Sequence, residues 1–347
     1  MTPFSVTSKA LNYAFVLIPR FNMMAVTSMI EPLRIANYLS PSPLYRWNFL
    51  SFDEEQVTSS NQLSINCTLI DASHSTQYDV VFVVGSWGCE HYQQIELFNW
   101  LHKLNYRGDT LCAVEMATYT FARAKILSEK LATTHWSMMA GFAELFPKVQ
   151  TNEHLYTIDK NLMTCAGGTA GMDLMLHLVN QQFGDNLSSE IADQMIYHPV
   201  RPANTLQRHT HGGSHSHIHP YVNRAIKLIE ENMLEPLSVP EIAQIVGISQ
   251  RQLERYFKEY LGCSIVQFSQ LMRLQYARVL LTSTRMPIRE VSAASGFNSM
   301  SHFSKVFINR FGKKPSSYRQ AWLSDEDAPS WPGTIFSLLE DSGFGKK

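Results

Sequence analysis

The chain has 347 residues, 45% of them hydrophobic and 17% charged, with a net charge of −1. That length predicts two domains, and that balance excludes wholesale disorder. Five cysteines (Cys67, Cys89, Cys112, Cys165 and Cys263) form no CxxC pair, which argues against a zinc finger or a disulfide framework and suits a reducing cytoplasm.

The first two hundred residues alternate strand and helix signals. Ala14-Phe-Val-Leu-Ile18 is an apolar run closed by Pro19 and predicts a buried strand. The run from Tyr13 to Pro19 is too short to span a membrane, and no secretory leader is expected. Met23 to Leu39 has helical spacing, Arg46 to Phe52 is strand-like, and Asp79-Val-Val-Phe-Val-Val84 is an apolar strand stopped by Gly85. His91 to Asn105 predicts a helix, Thr110 to Val114 a short strand, and Ala117 to Leu127 another helix. Leu162 to Cys165 is a strand that runs through Gly167 and Gly168 into a helix from Thr169 to Gln182. Buried strands alternating with helices imply an α/β domain with a parallel sheet covered on both faces, assigned here to residues 10–200.

Residues 201–220 are read as a linker. The part from His209 to Pro220 is Gly/Ser-rich and holds five of the thirteen histidines, which favours a flexible connection. Histidine is a common metal ligand, but no structured spacing or carboxylate supports a metal site, and none is assigned. Helical periodicity then takes over, at Tyr221–Glu231, Val239–Val246, Gln250–Leu261, Ile265–Thr282, Ile288–Ala294 and Ser299–Phe311. Residues 221–321 therefore form an all-α domain of six or seven helices. The tail, 322–347, carries Pro329, Pro332 and an apolar patch at Ile335–Leu339, without an assigned role.

The charge is unevenly divided. Tyr221 to Leu323 holds 14 Lys+Arg against 7 Asp+Glu, a balance of +7, whereas the remainder carries −8. A basic module joined to an acidic one fits a split between nucleic-acid binding and another task, although a solvated basic face would look the same.

The helical domain repeats one grammar twice. In Ser238-Val-Pro-Glu241, the serine can cap a helix with Glu241 three residues on. Gly247 supplies a left-handed end, Ile248 plugs the turn, and Ser249 caps the next helix. Leu253, Tyr256 and Phe257 would face inward, leaving Gln250, Arg251, Gln252 and Arg255 outward, where Gln can read adenine and Arg guanine. In the second copy Gly296 matches Gly247, Phe297 matches Ile248, and Asn298 matches the cap Ser249. Asn298, Ser299, Ser301, His302 and Lys305 would be exposed while Phe303 and Phe307 pack. The helix around Arg273 and Arg278 would be a spacer setting the two second helices in successive major grooves, about 34 Å apart.

These residues resemble the AraC/XylS DNA-binding domain. The likeness is carried by Ile242-Ala243 to Phe257, by Gly262 to Phe268, by Arg273-Leu-Gln-Tyr-Ala-Arg-Val-Leu-Leu281, by Gly296 to Phe307, and by the closing Phe311-Gly-Lys-Lys-Pro315. It implies binding to promoter DNA through both helix-turn-helix units, activation through RNA polymerase, and a homodimer.

The first domain resembles the PfpI-like branch of the class I glutamine amidotransferase-like fold, a flavodoxin-like parallel sheet. Its landmarks include Val16-Leu-Ile-Pro19, Glu31 to Asn37, Leu44 to Trp47, Asp79 to Gly85, Ala132 to Trp136 and Thr164 to His177. Enzymes of this fold set a cysteine on a sharp strand-to-helix turn, where the helix N-terminus lowers the thiol pKa. Here the turn is Val114-Glu115-Met116-Ala117, so Glu115 stands at the nucleophile's place, and Ala25 replaces the acid that would hold the thiolate. Cys112 lies three residues earlier, inside the strand. His135 reads as a base or as a packed residue at a helix start.

A catalytically inactive pocket at the C-terminal ends of the strands remains a ligand site. Its candidate walls are Glu115, Met116, Ser86, Trp87, His135 and Trp136, with both tryptophans open to a core or lid role instead. A carboxylate among aromatic faces suits a cation. Tyr45-Arg-Trp47, Thr164 to Ala170, Arg201-Pro-Ala-Asn, Gln207-Arg208 and Arg251 to Arg255 resemble one subgroup, whose regulators respond to glycine betaine, carnitine or arginine. That resemblance implies a cationic or zwitterionic effector and no cofactor. The alternative is an active PfpI-like hydrolase or glyoxalase with a DNA-binding appendix.

Overall fold

The computed structural model describes residues 9–207, 219–233 and 235–323. His209, His211, His215 and His217 of the linker, and the tail beyond Leu323, lie outside the described residues. The chain divides into two compact units, one ending at Gln207 and the other beginning at Arg208.

The N-terminal unit opens with β1 (Leu11–Leu17), α1 (Met23–Leu39) and β2 (Tyr45–Ser51). Three small strands follow, β3 (Gln56–Thr58), β4 (Ser64–Asn66) and β5 (Thr68–Leu69). Next come β6 (Val80–Val84), α2 (Ile95–Arg107), β7 (Leu111–Val114), α3 (Ala117–Arg123) and β8 (Leu131–Ala132). A 3-10 turn (Trp136–Met138) leads to α4 (Met139–Leu145), β9 (Gln150–Thr151), β10 (Tyr156–Asp159), β11 (Leu162–Cys165), α5 (Ala170–Phe183) and α6 (Asp185–Gln194).

Seven strands form one sheet in the order β10-β11-β7-β6-β1-β2-β5. Every pairing is parallel except β10 with β11. All residues of β6, β7 and β11 are buried, as two-sided burial of a parallel sheet requires. The N-terminal unit is thus the expected mostly parallel α/β fold.

α1 turns Ala25, Val26, Met29, Leu33 and Ala36 to the core at helical spacing. It lies so close to α5 that a Cβ on Gly171 would stand 2.7 Å from Ser28 Oγ and 2.8 Å from Met29 Cγ. Each large apolar side chain buried in this way contributes roughly 1.5–3 kcal/mol.

The chain winds outward from β1 in both directions, through β2 and β5 on one side and β6, β7 and β11 on the other. The reversal falls between β1 and β6, and in open α/β sheets small molecules bind at the strand C-termini beside such a reversal. Leu17, Val84, Val114 and Cys165 stand level across the sheet. The residues that follow them, beginning Ile18, Gly85, Glu115 and Ala166, therefore meet at one edge.

Two helices are shorter than the sequence periodicity predicts. α2 starts at Ile95 rather than His91, because the preceding segment is tied into turns. Arg123 donates to the carbonyls of Cys89 and Tyr92, and the Tyr92 hydroxyl donates to Asp53. α3 stops at Arg123, not Leu127, since Lys125 adopts a left-handed φ of 58° that no helix continues through. The first residues of the predicted linker are fastened to this unit. Leu155 N donates to the carbonyls of Ala203 and Thr205, and Gln207 N donates to Glu153 O. Arg201 forms an ion pair with the buried Asp173.

The C-terminal unit has seven helices among the described residues. They are α7 (Pro220–Glu231), α8 (Val239–Val246), α9 (Gln250–Leu261), α10 (Ile265–Ser283), α11 (Ile288–Ala294), α12 (Met300–Phe311) and α13 (Pro315–Leu323). One core gathers α7, α8, α9 and the first half of α10 around Phe257 and Phe268. A second gathers the rest of α10 with α11, α12 and α13 around Phe303, Phe307 and Tyr318. α10 belongs to both, and its 19 residues span about 28 Å at 1.5 Å per residue. It carries Arg273 and Arg278 and joins the two cores.

Candidate functional site

Glu115 sits on the turn between β7 and α3 with φ 60°, a left-handed conformation that costs a non-glycine residue roughly 1–2 kcal/mol. Neighbours hold it there. Its N–H donates to Cys165 O at 2.7 Å. Its carbonyl accepts from Thr134 Oγ1 at 2.8 Å and from Thr118 Oγ1 at 3.1 Å. The carboxyl accepts a hydrogen bond from Ser86 Oγ at 3.1 Å. Opposite it runs the backbone of Gly167, where a Cβ would lie 2.5 Å from Glu115 Oε2, so glycine is required on that turn.

Glu115, Met116 and Ser86 are closed off from solvent, at 1%, 0% and 1% exposure. Burial pushes the Glu115 pKa up to about 8, while the Ser86 hydroxyl and the Asn22 and Gly168 groups nearby pull the other way. Burial therefore favours the protonated carboxyl over the carboxylate. The residue types alone imply a standing negative charge there; burial works against that charge.

Trp87, His135 and Trp136 are part-exposed and adjoin one another. The Trp87 and His135 rings meet edge-on at 5.7 Å, and those of His135 and Trp136 lie 5.5 Å apart. The six predicted residues thus form two groups, a buried one at the strand ends and an aromatic one at the surface. Thr134 lies between them, bonded to Glu115 through its side chain and next in sequence to His135.

His135 Nδ1 is 2.7 Å from Ser137 Oγ and accepts from the Ser137 N–H, as the cap of the 3-10 turn. This is the packed role, at the start of a helix. Ala25 is fully buried in the first turn of α1, its N–H bonded to the capping Asn22. Thr118 and Thr134 were not identified as elbow residues from sequence; Thr134 meets Glu115 across nineteen residues, and the contact of Thr118 with the Glu115 carbonyl three residues before it carries no recognisable pattern. Asn22 carried a signal, a capping residue directly before the periodic run of α1.

All five thiols are disfavoured as thiolates. Burial raises the pKa of Cys89, Cys112 and Cys165, and takes Cys67 and Cys263 up to about 11. Cys112 lies inside β7 with 0% exposure.

In the C-terminal unit, all ten predicted DNA-facing residues are exposed, while Leu253, Phe257, Phe303 and Phe307 are buried beneath them. α8, α9 and α10 each begin with a reciprocal capping box, Ser238 with Glu241, Ser249 with Gln252, and Ser264 with Gln267. Gln252 Oε1 accepts from both Ser249 N and Ser249 Oγ, so half of its amide is occupied in holding the helix end. Gln250, Arg251 and Arg255 remain the long side chains presented by α9.

The second unit differs by one residue. Phe297 N bonds to Ser292 O as Ile248 N bonds to Ala243 O, so the two turns match up to that point. The cap of α12 is then Ser299, which accepts from His302 N, and not Asn298. The extra residue leaves Asn298 in the turn itself.

A strained carboxylate elbow on a parallel sheet and two capped helix-turn-helix units on one spacer define a DNA-binding regulator built on an enzyme-like fold. A DJ-1/PfpI family model matches residues 16–181 and a helix-turn-helix domain model matches residues 242–321. The chain is 37% identical over 310 residues to the HTH-type transcriptional regulator GbdR of Pseudomonas aeruginosa, covering 88% of this chain and 83% of GbdR. It is 33% identical over 324 residues to the HTH-type transcriptional regulator CdhR of the same species, covering 93% and 95%. The HTH-type transcriptional regulator ArgR, also from that species, is 35% identical over 219 residues, 63% of this chain and 67% of ArgR. The protein belongs to the AraC-type HTH transcriptional regulators that carry an N-terminal DJ-1/PfpI-like domain. Among the described residues no helix is long and apolar enough to cross a membrane.

Proposed function

We propose that this protein activates transcription of amine or amino-acid catabolism genes in response to a small cationic or zwitterionic nitrogen compound. The compound binds at the C-terminal ends of the N-terminal sheet, and both helix-turn-helix units engage promoter DNA. The observation that carries this reading is Glu115 on the elbow. An enzyme's nucleophile position is occupied by a buried carboxyl bonded to Ser86, while Trp87 and His135, which follow Ser86 and Thr134 in the chain, adjoin each other and Trp136 in a part-exposed aromatic group. The strain of its φ 60° is retained, which is the sign of a selected geometry.

A cation entering this site gains from the ring faces and from the carboxylate it creates by displacing the proton. Catalysis is not part of the proposal. The elbow offers no thiol, and burial keeps Cys89, Cys112 and Cys165 protonated. The protein acts as a homodimer that recruits RNA polymerase, in keeping with the family resemblance.

The test is a thermal-shift screen of glycine betaine, carnitine and arginine against the full chain, followed by promoter footprinting with the best compound. A stabilising compound that also changes the footprint, with both effects lost in Glu115→Ala, is the expected result. Turnover of an amide, thioester or glyoxal that disappears with Glu115→Ala would overturn it in favour of the enzyme.

A further inference from the structure

Gln207 is the last residue of the N-terminal unit, and its side chain is plugged into the loop that bears the aromatic wall. Its Nε2 donates to Thr134 O at 2.8 Å, to Thr133 Oγ1 at 2.9 Å and to His154 O at 3.1 Å. Its Oε1 accepts the backbone N–H of Trp136 at 2.8 Å. One amide therefore satisfies four groups, two of them main-chain groups of residues 134–136. The same Thr134 reaches the other way, its hydroxyl bonded to the Glu115 carbonyl. A continuous hydrogen-bonded path runs from the elbow through Thr134 to the residue where the chain leaves for the DNA-binding unit.

The far end of that connection is also tied to a working part. After the eleven residues 208–218, His219 caps α7 and stacks on Tyr256 of α9, ring centroids 4.3 Å apart and planes 15° from parallel. Tyr256 in turn lies 5.2 Å beneath the guanidinium of Arg255, one of the candidate base-reading side chains.

We propose that Gln207 is the coupling residue of this regulator, a latch joining the His135–Trp136 loop of the effector site to the residue at which the N-terminal unit ends and the chain passes to the DNA-binding unit. An occupant that moves the loop breaks or tightens the latch. With the latch broken, the backbone of Gln207 stays bonded to Glu153 O, and what is lost is the side-chain link between residue 207 and the loop of Thr134 and Trp136. Occupancy of the loop is thereby felt at residue 207, the end of the N-terminal unit, and becomes a change in DNA engagement. This rests on the effector site proposed above.

The test uses the full chain with Gln207→Ala, Gln207→Glu and Thr134→Val. Glutamate at 207 keeps the acceptor for Trp136 N but sets a carboxylate against three acceptor oxygens, so it releases the latch as alanine does. With glycine betaine, carnitine and arginine as probes, both Gln207 variants should bind the responsive probe, and the footprinted promoter without probe, within about threefold of wild type. The probe-dependent change in promoter affinity should fall to nearly none. A wild-type response retained in both variants overturns the coupling.

Amide exchange decides the matter even without a responsive probe, whose absence would count against the effector reading alone. Gln207→Ala should speed exchange of the Trp136 N–H at least tenfold, and Thr134→Val should speed that of Gln207. Unchanged exchange at Gln207 in Thr134→Val overturns the proposal.

Discussion

The carbonyl oxygen of Met233 lies 2.4 Å from the point where a side chain on Gly296 would begin. Met233 follows α7 in the first helix-turn-helix core, and Gly296 is the turn of the second. Arg273 of α10 closes the same contact, donating to Gly296 O at 3.1 Å while its guanidinium sits 5.0 Å over the Phe297 ring. The two units are locked together at a position where glycine is needed both for space and for its φ of 74°. Gly296→Ala should lower the stability of the C-terminal unit by about 2–4 kcal/mol, adding left-handed strain to overpacking. Calorimetry should show its transition lowered, and gel-shift titration should show promoter binding weakened at temperatures where the unit stays folded.

Glu115 makes stability depend on pH. Its pKa rises from an ordinary 4.5 to about 8 in the folded chain. Between those values the folded state holds a proton that the unfolded state has lost, so stability falls as pH rises through that window. Glu115→Gln cannot ionise and should flatten this component. The variant's Tm should exceed that of the wild type near pH 8, with the difference shrinking toward pH 5.

Effector binding should release a proton. A cation that contacts Glu115 favours the carboxylate, so its affinity should rise with pH, by up to about tenfold per unit below pH 8. Titration calorimetry in buffers of different ionisation enthalpy would count the released protons. A flat affinity between pH 6 and 8 would place the cation away from Glu115.

The two reading helices should differ in kind. Arg251→Ala or Arg255→Ala should cost roughly 1–3 kcal/mol of discrimination between operator variants if the side chain reads a base. Ser301→Ala and His302→Ala should cost less, because those side chains are short. Gln252→Ala breaks a capping box and should lower stability by about 1 kcal/mol, a loss that Gln250→Ala should not share. Competition titrations against mutated operators would measure each.

Much of the C-terminal unit was legible because its signals are local. Val239–Val246, Gln250–Leu261 and Ile288–Ala294 are bounded in the structure as the periodicity predicts. Caps and left-handed glycines act within one turn of helix. The misplacement of the second cap at Asn298 came from aligning two units that differ by one residue. In the N-terminal unit Leu162–Cys165 was legible from its apolar run, whereas β10, with Thr157 and Asp159 in four residues, carries little pattern and owes its strand state to pairing with β11. α6 was likewise missed, its mean composition being polar despite Ile191 and Ala192 facing the core.

The sequence by itself determined that the chain is an α/β unit joined to a twin helix-turn-helix unit, and that a glutamate stands on the elbow. Short-range hydrogen bonds and the two periodicities of burial are written in residues a few positions apart. Only the tertiary structure decided that this glutamate is buried away from water, that Gly296 closes the two DNA-binding cores upon Met233, and that Gln207 is bonded to the loop of Trp136. Each depends on groups 29 to 74 residues apart in the chain, or more, and such meetings follow from the packing of the whole unit, which removes water from a carboxyl or sets an amide among four partners. No window of sequence contains that information.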